Sequence, residues 1–289
     1  GSTEALAVYN GTLVLDGGAL SMTNASSRFF AGRTAGTSDG LVIVSNGTHT
    51  ILGWNNNSMA NFIGVSGAKR GRLFMEGGSL TVNFLRLATN NKSVDDWTDE
   101  LIINNGVLTA TATTDADPQS KAFKMGTRHD ESSDLSSRSG RLVINGGRFL
   151  VPNGVSQISV DTAASTGTQE LFLNGGVWSV KKIAIGSAPD VARNIYWNGG
   201  VLQGTNVAAG AELIDGASNA VFKVRAGGAV IDSGAYSFSL TANLTEDGTS
   251  PGGGLVKLGS GTLTLGGAST YTGDTVVSNG ALRLAGTLA

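Results

Sequence analysis

The sequence predicts an all-β fold: a parallel β-solenoid of about ten coils, each built from three short strands. Three observations predict it. A strand–turn–strand unit, clearest at 141–151 (RLVINGGRFLV), recurs ten times. Its flanks alternate apolar and polar with the period of two that marks a strand with one buried face. Its turns are made of glycine and asparagine, the residues that tolerate positive φ.

Aligned on the last turn glycine, the copies fall at Gly18, Gly47, Gly78, Gly106, Gly147, Gly176, Gly200, Gly228, Gly261 and Gly280. The spacings are 29, 31, 28, 41, 29, 24, 28, 33 and 19 residues. Periods of this size signal stacked repeats that share one continuous core. Two residues before the glycine stand Asp16, Glu76, Asn104, Asn145, Asn174 and Asn198. Two residues after it come Leu20, His49, Leu80, Leu108, Phe149, Trp178, Leu202, Val230, Leu263 and Leu282, nine of the ten apolar. A third segment follows at 29–32, 62–65, 85–87, 123–126, 158–160, 183–186, 213–214 and 238–240. A two-sheet sandwich also has regular strands and turns. It does not need the same turn glycine about every thirty residues.

The chain is expected to form one solenoid domain over 1–289. Two lateral loops interrupt it, at 89–100 and at 111–139, the second carrying a third-strand pattern at Phe123-Lys124-Met125-Gly126. Around 221–231 the alternation slips by one residue, which reads as a bulge. No signal peptide opens the chain, and Gly1-Ser2 reads as a cloning remnant, so the chain is expected to be a piece of something longer.

The stretch 255–284 has a texture of its own: LVKLGSGTLTLGGASTYTGDTVVSNGALRL. Gly259, Gly261-Thr262-Leu263-Thr264-Leu265, Gly267, Thr270-Tyr271-Thr272-Gly273, Thr275, Val277, Gly280, Leu282 and Leu284 resemble the autotransporter-associated β-strand repeat, or passenger-associated transport repeat. Asp274 stands where that family commonly has glycine. The resemblance covers a passenger-type repeat at 253–285. It implies a right-handed coil and a secreted or cell-surface bacterial protein. Passengers of this family often end in an outer-membrane barrel, which this sequence does not contain.

Composition narrows the function. Net charge is −2, charged residues make up 15% of the chain and no basic run appears. Nucleic-acid binding and docking to anionic membrane are therefore disfavoured. There is no cysteine, so disulfides and cysteine-ligated zinc are excluded. No apolar run is long enough to cross a bilayer.

One face is unusual. Val14, Ile43, Phe74, Ile102, Val143, Phe172 and Tyr196 occupy the outward position of the first strand in seven successive coils, yet all are apolar or aromatic. Stacked coils would line them into a ladder about 30 Å long. Three explanations are open. The lateral loops or a terminus cover the ladder; or it is an exposed stripe that contacts a neighbouring domain or a second copy; or β-branched residues sit there for strand propensity.

Candidate chemistry is sparse. Glycoside hydrolysis needs two carboxylates facing one sugar. The loops offer Asp95, Trp97 and Asp99, then His129, Asp130 and Glu131, with Trp54 as a further aromatic platform. These residues lie in polar loops, and a solvated charged surface explains them as well as a glycan site does. No ligand set for a metal is readable, and no cofactor motif appears. The reading is a non-catalytic structural or adhesive β-helix segment that acts as a rigid stalk or contact surface. Its expected partners are other domains or copies of the parent protein, and glycans or a host surface. The alternative is a carbohydrate-active enzyme (a polysaccharide lyase or hydrolase) or a carbohydrate-binding β-helix, with a site near 95–100 and 121–134.

Overall fold

A computed structural model describes residues 5–23, 27–32, 39–52, 61–65, 70–89, 98–112, 121–126, 139–159 and 166–288. The architecture is a parallel β-helix. Every strand pairing joins parallel strands, and each strand pairs with its equivalents in the coils before and after it. Three sheets wrap one continuous core. The first contains Arg70–Met75, Thr98–Ile103, Ser139–Ile144, Gly167–Leu173 and Val191–Trp197. The second contains Ser79–Val82, Val107–Ala110 and Val201–Gly204. The third contains Leu85–Thr89 and Phe123–Met125. Several strands run through a corner, so that Asp39–Ile51 serves the first and second sheets and Arg148–Ile158 the second and third. In the second sheet one register passes through ten coils: Ala19, Thr48, Ser79, Val107, Arg148, Val177, Val201, Val230, Val256 and Val276.

The core follows from the alternation. Val42, Leu73, Leu101, Leu142, Leu171, Ile195, Phe222 and Leu244 succeed one another inward in the first sheet, all buried. Where inward rungs are aromatic they stack along the axis: Phe149 and Trp178 have ring centroids 6.2 Å apart and 1° from parallel. His49 is buried among aliphatic rungs with both nitrogens engaged. Nδ1 accepts from the Leu20 amide at 3.3 Å and Nε2 donates to the Asn46 carbonyl at 2.9 Å.

The turn glycine between the first and second strands is demanded by its surroundings. At Gly147 φ is 61°, and a Cβ would come within 2.5 Å of the Gly106 carbonyl oxygen one coil below. The corners stack so closely that only a residue without Cβ fits there.

Several expectations need correction. Thr98, Asp99 and Glu100 belong to a first-sheet strand rather than to a loop. Ile158 ends its third-sheet strand instead of opening one. The extra residue near 225 lies in a turn, where the Gly228 amide donates to the Arg225 carbonyl at 2.7 Å, and the inward rung beyond Leu202 is Ile231, not Val230. The largest change is at Gly261. Leu255–Leu258 pairs with Ala229–Asp232 in the second sheet, while Thr262–Leu265 pairs with Phe238–Leu240 in the third. Gly261 and Gly280 therefore mark the corner between the second and third strands, one corner later than in the earlier coils. The inward position next to Ile231 is filled by Lys257, which is buried and turns its ammonium to the carbonyls of Leu258 and Gly259, each at 2.7 Å.

Candidate functional site

The first sheet presents three side-chain columns on its outer face. Alternation places Val14, Ile43, Phe74, Ile102, Val143, Phe172 and Tyr196 in the middle column, and the strand register joins them rung to rung. Val14 at the N-terminal end is 51% exposed; the other six are half-buried. The Phe172 and Tyr196 rings lie 4.6 Å apart and 7° from parallel. Arg225, from the next coil, places its guanidinium carbon 4.3 Å from the Tyr196 centroid, and Arg141, from the preceding coil, lies 6.0 Å from the Phe172 centroid. Arg225 is also 5.3 Å from the Phe172 centroid, so it lies beside the stacked pair within cation–π reach of both rings. Each ring covers one face of the other. Burial of the Tyr196 phenol, together with Glu170, raises its pKa against the opposing pull of Arg225.

A charged column runs beside the ladder, where Arg72, Glu100, Arg141 and Glu170 alternate in register. The Arg141 guanidinium donates to Glu170 at 2.7 Å and to Glu100 at 3.3 Å, and these bonds, the Glu170 bond first, raise its pKa. Glu100 also accepts from Arg70, and Arg72 reaches Asp39 at 3.0 Å. At the opposite, corner side of the ladder, beyond Tyr196, Arg225 donates to Asp247 at 2.7 Å. Burial would raise the Asp247 carboxyl, but the Arg225 bond and two bonds from Thr249 outweigh it and hold the pKa low.

On the other side of the ladder an amide column occupies the corner. The Asn104 side chain donates to Glu76 at 2.8 Å, Asn145 to Asn104 at 2.8 Å, Asn174 to Asn145 at 2.9 Å and Asn198 to Asn174 at 3.5 Å. The Gly227 amide closes the series on Asn198 Oδ1 at 3.0 Å. All the amides point the same way along the axis, nitrogen toward the N-terminal coil.

Of the residues considered for a glycan site, Trp54, Asp95, Trp97, His129, Asp130 and Glu131 lie outside the described residues. Asp99 is fully buried, which corrects its reading as a loop carboxylate. It faces inward in its strand, accepts from the Gly71 amide at 2.6 Å and fills the space over Gly64, where an added Cβ would lie 2.0 Å from its carboxyl carbon. A cleft of about 360 Å³ opens between the Ser187–Val191 and Ser218–Val221 segments. Its one charged lining residue, Arg193, is buried and donates to Ser159 Oγ and to the carbonyls of Ala188 and Val191. Arg193 fastens the walls and brings no carboxylate pair. Among the described residues no group of three or more histidine or acidic side chains converges as a metal site would require.

Sequence reasoning missed a second outward stripe. Val177, Val201, Val230, Val256 and Val276 line up in the second sheet, just around the corner from the amide column. The signal was partly present, since Val107, Val177 and Val201 each follow a turn glycine directly. The shift at Gly261 hid the rest.

Comparisons with known proteins agree with this architecture. Residues 255–284 match the passenger-associated-transport-repeat family. Over 272 residues, 92% of the chain, the sequence is 27% identical to the adhesin BmaC autotransporter of Brucella suis biovar 1 (strain 1330). The chain spans only 7% of that relative's length. No solved structure matches the chain.

Proposed function

We propose that this chain, a passenger-type β-helical segment of a secreted or cell-surface bacterial protein, is a rigid and non-catalytic length of an adhesive stalk. Its lateral contact surface is the outer face of the first sheet. The observation that carries the reading is the fate of the carboxylates. Glu100 and Glu170 are held by Arg141, Asp247 by Arg225, and Asp99 by a backbone amide inside the coil. Carboxylates held this way keep coils in register and are not free to protonate a leaving group or activate a water. Three continuous columns over successive coils also resist bending, because any bend must open apolar, charged and amide contacts together.

The test is the chain length of uronic-acid, neutral and sulfated polysaccharides after long incubation with the purified chain, with and without calcium. No polymer shortens if the reading is right, and shortening of any one overturns it. Lateral contact is tested separately by sedimentation of the V14K/I43K variant beside the wild type. These two positions lie away from the Phe172–Tyr196 stack. Charge there abolishes any self-association through this face, and unchanged association removes the face from the proposal.

A further inference from the structure

Eight Asn-Gly pairs occur in the chain, at Asn10, Asn46, Asn105, Asn145, Asn153, Asn174, Asn198 and Asn279. Asn-Gly is the dipeptide in which backbone attack on the side-chain amide meets least steric hindrance, because glycine has no Cβ to block it. The fold divides six of these pairs into two classes.

In the first class the asparagine turns its side-chain carbonyl onto the amide of its own glycine. Gly47 donates to Asn46 Oδ1, Gly106 to Asn105 Oδ1 and Gly280 to Asn279 Oδ1, each at 2.8 Å. All three asparagines are exposed. The nucleophilic nitrogen is thereby held against the side-chain carbonyl whose carbon it must attack, so proximity is already supplied. In the second class both reaction partners are committed elsewhere. The side chains of Asn145, Asn174 and Asn198 are rungs of the amide column. The following glycine amides donate to other segments: Gly146 to Ile103 at 3.2 Å, Gly175 to Ile144 at 3.0 Å and Gly199 to Gly228 at 2.8 Å.

We propose that Asn46, Asn105 and Asn279 are sites of spontaneous self-modification, and that the amide column protects Asn145, Asn174 and Asn198 from the same reaction. The glycine nitrogen gives up its proton and bonds to the asparagine Cγ. The Cγ–Nδ2 bond breaks, and the leaving nitrogen takes up that proton to depart as ammonia. Water then adds to either carbonyl of the resulting succinimide and yields aspartate or isoaspartate. One water is consumed, one ammonia is released, and no oxidant or reductant takes part. Each event adds one negative charge at an exposed coil corner, at three separate heights along the solenoid. The amide column between them stays neutral.

The experiment is peptide mapping of the intact folded chain, held at mildly alkaline pH, with aspartate and isoaspartate products resolved at each of the six positions. A parallel sample is kept unfolded in urea. In the folded chain Asn46, Asn105 and Asn279 convert about ten-fold or more faster than Asn145, Asn174 and Asn198. In urea all six convert at similar rates. Equal rates in the folded chain overturn the proposal. So does conversion at 145, 174 or 198 ahead of the other three, and so does a folded chain in which none of the six converts while urea releases them all.

Discussion

Replacing Tyr196 with alanine tests whether the outer ladder holds coils together from within. The substitution removes the ring stacked 4.6 Å from Phe172 and the surface beneath the Arg225 guanidinium. A stacked aromatic pair contributes about 0.5–1.5 kcal/mol beyond its area. A partly exposed cation–π contact adds about 0.5–1 kcal/mol. Losing the buried half of a tyrosine ring, roughly 60–100 Å², costs about 1.5–2.5 kcal/mol. Together Y196A should destabilise by about 2.5–5 kcal/mol, measured by urea unfolding. A double-mutant cycle with F172A should return a coupling of about 0.5–1.5 kcal/mol. The control is V14A, half exposed at the end of the same ladder, with an expected loss under about 0.5 kcal/mol. A Y196A cost below about 1 kcal/mol, or a coupling near zero, would refute the stacking contribution and return the ladder to plain strand propensity.

Other perturbations probe the neighbouring columns and the core. Asn145→Asp keeps the acceptor for Asn174 but sets a carboxylate against Asn104 Oδ1, so it should cost about 1–2 kcal/mol at pH 7 and recover as pH falls below about 4 and the acid regains a proton to donate. Denaturant titrations at the two pH values measure this. G147A and G18A share nearly the same φ, 61° and 65°, but only Gly147 has a carbonyl in the path of a Cβ. G18A should show the left-handed strain of about 1–2 kcal/mol alone, and thermal melts should place G147A clearly below it. Burial lowers the Lys257 pKa in the fold, so between that value and about 10.4 the unfolded chain binds the extra proton and stability rises with pH. In K257M that rise should vanish, as read from the wild-type-minus-variant difference in unfolding free energy across alkaline pH.

Much of the fold was legible because an inward rung and a turn glycine are local facts. Leu142, Ile144 and Phe149 announce a buried face within ten residues of chain, and Gly147 announces its corner. What stacks on what is not local. Coils of 19 to 41 residues give no fixed offset, so the passage of the glycine from one corner to the next at Gly261 appears only when Lys257 is seen beside Ile231. The seven outward apolar positions were readable from spacing. That arginines flank the Phe172–Tyr196 pair was not, because Arg141 and Arg225 come from coils on either side of it. Asp99 misled for a related reason. A polar run suggested a loop, yet the cavity over Gly64 and the Gly71 amide, some thirty residues earlier, make an inward carboxylate comfortable.

The alternating charges of the first sheet impose a parity on length. The apolar and amide columns accept any number of coils, since a hydrophobe meets a hydrophobe and an asparagine meets an asparagine whichever coil is lost. The charged column does not. Excising the coil that holds Glu100 would set Arg72 directly against Arg141, like charges about 4.8 Å apart. Excising two coils would set Arg72 on Glu170 and restore attraction. Along this stretch the solenoid can be shortened or extended without electrostatic conflict only in even steps, each pair of coils changing its reach by about 10 Å.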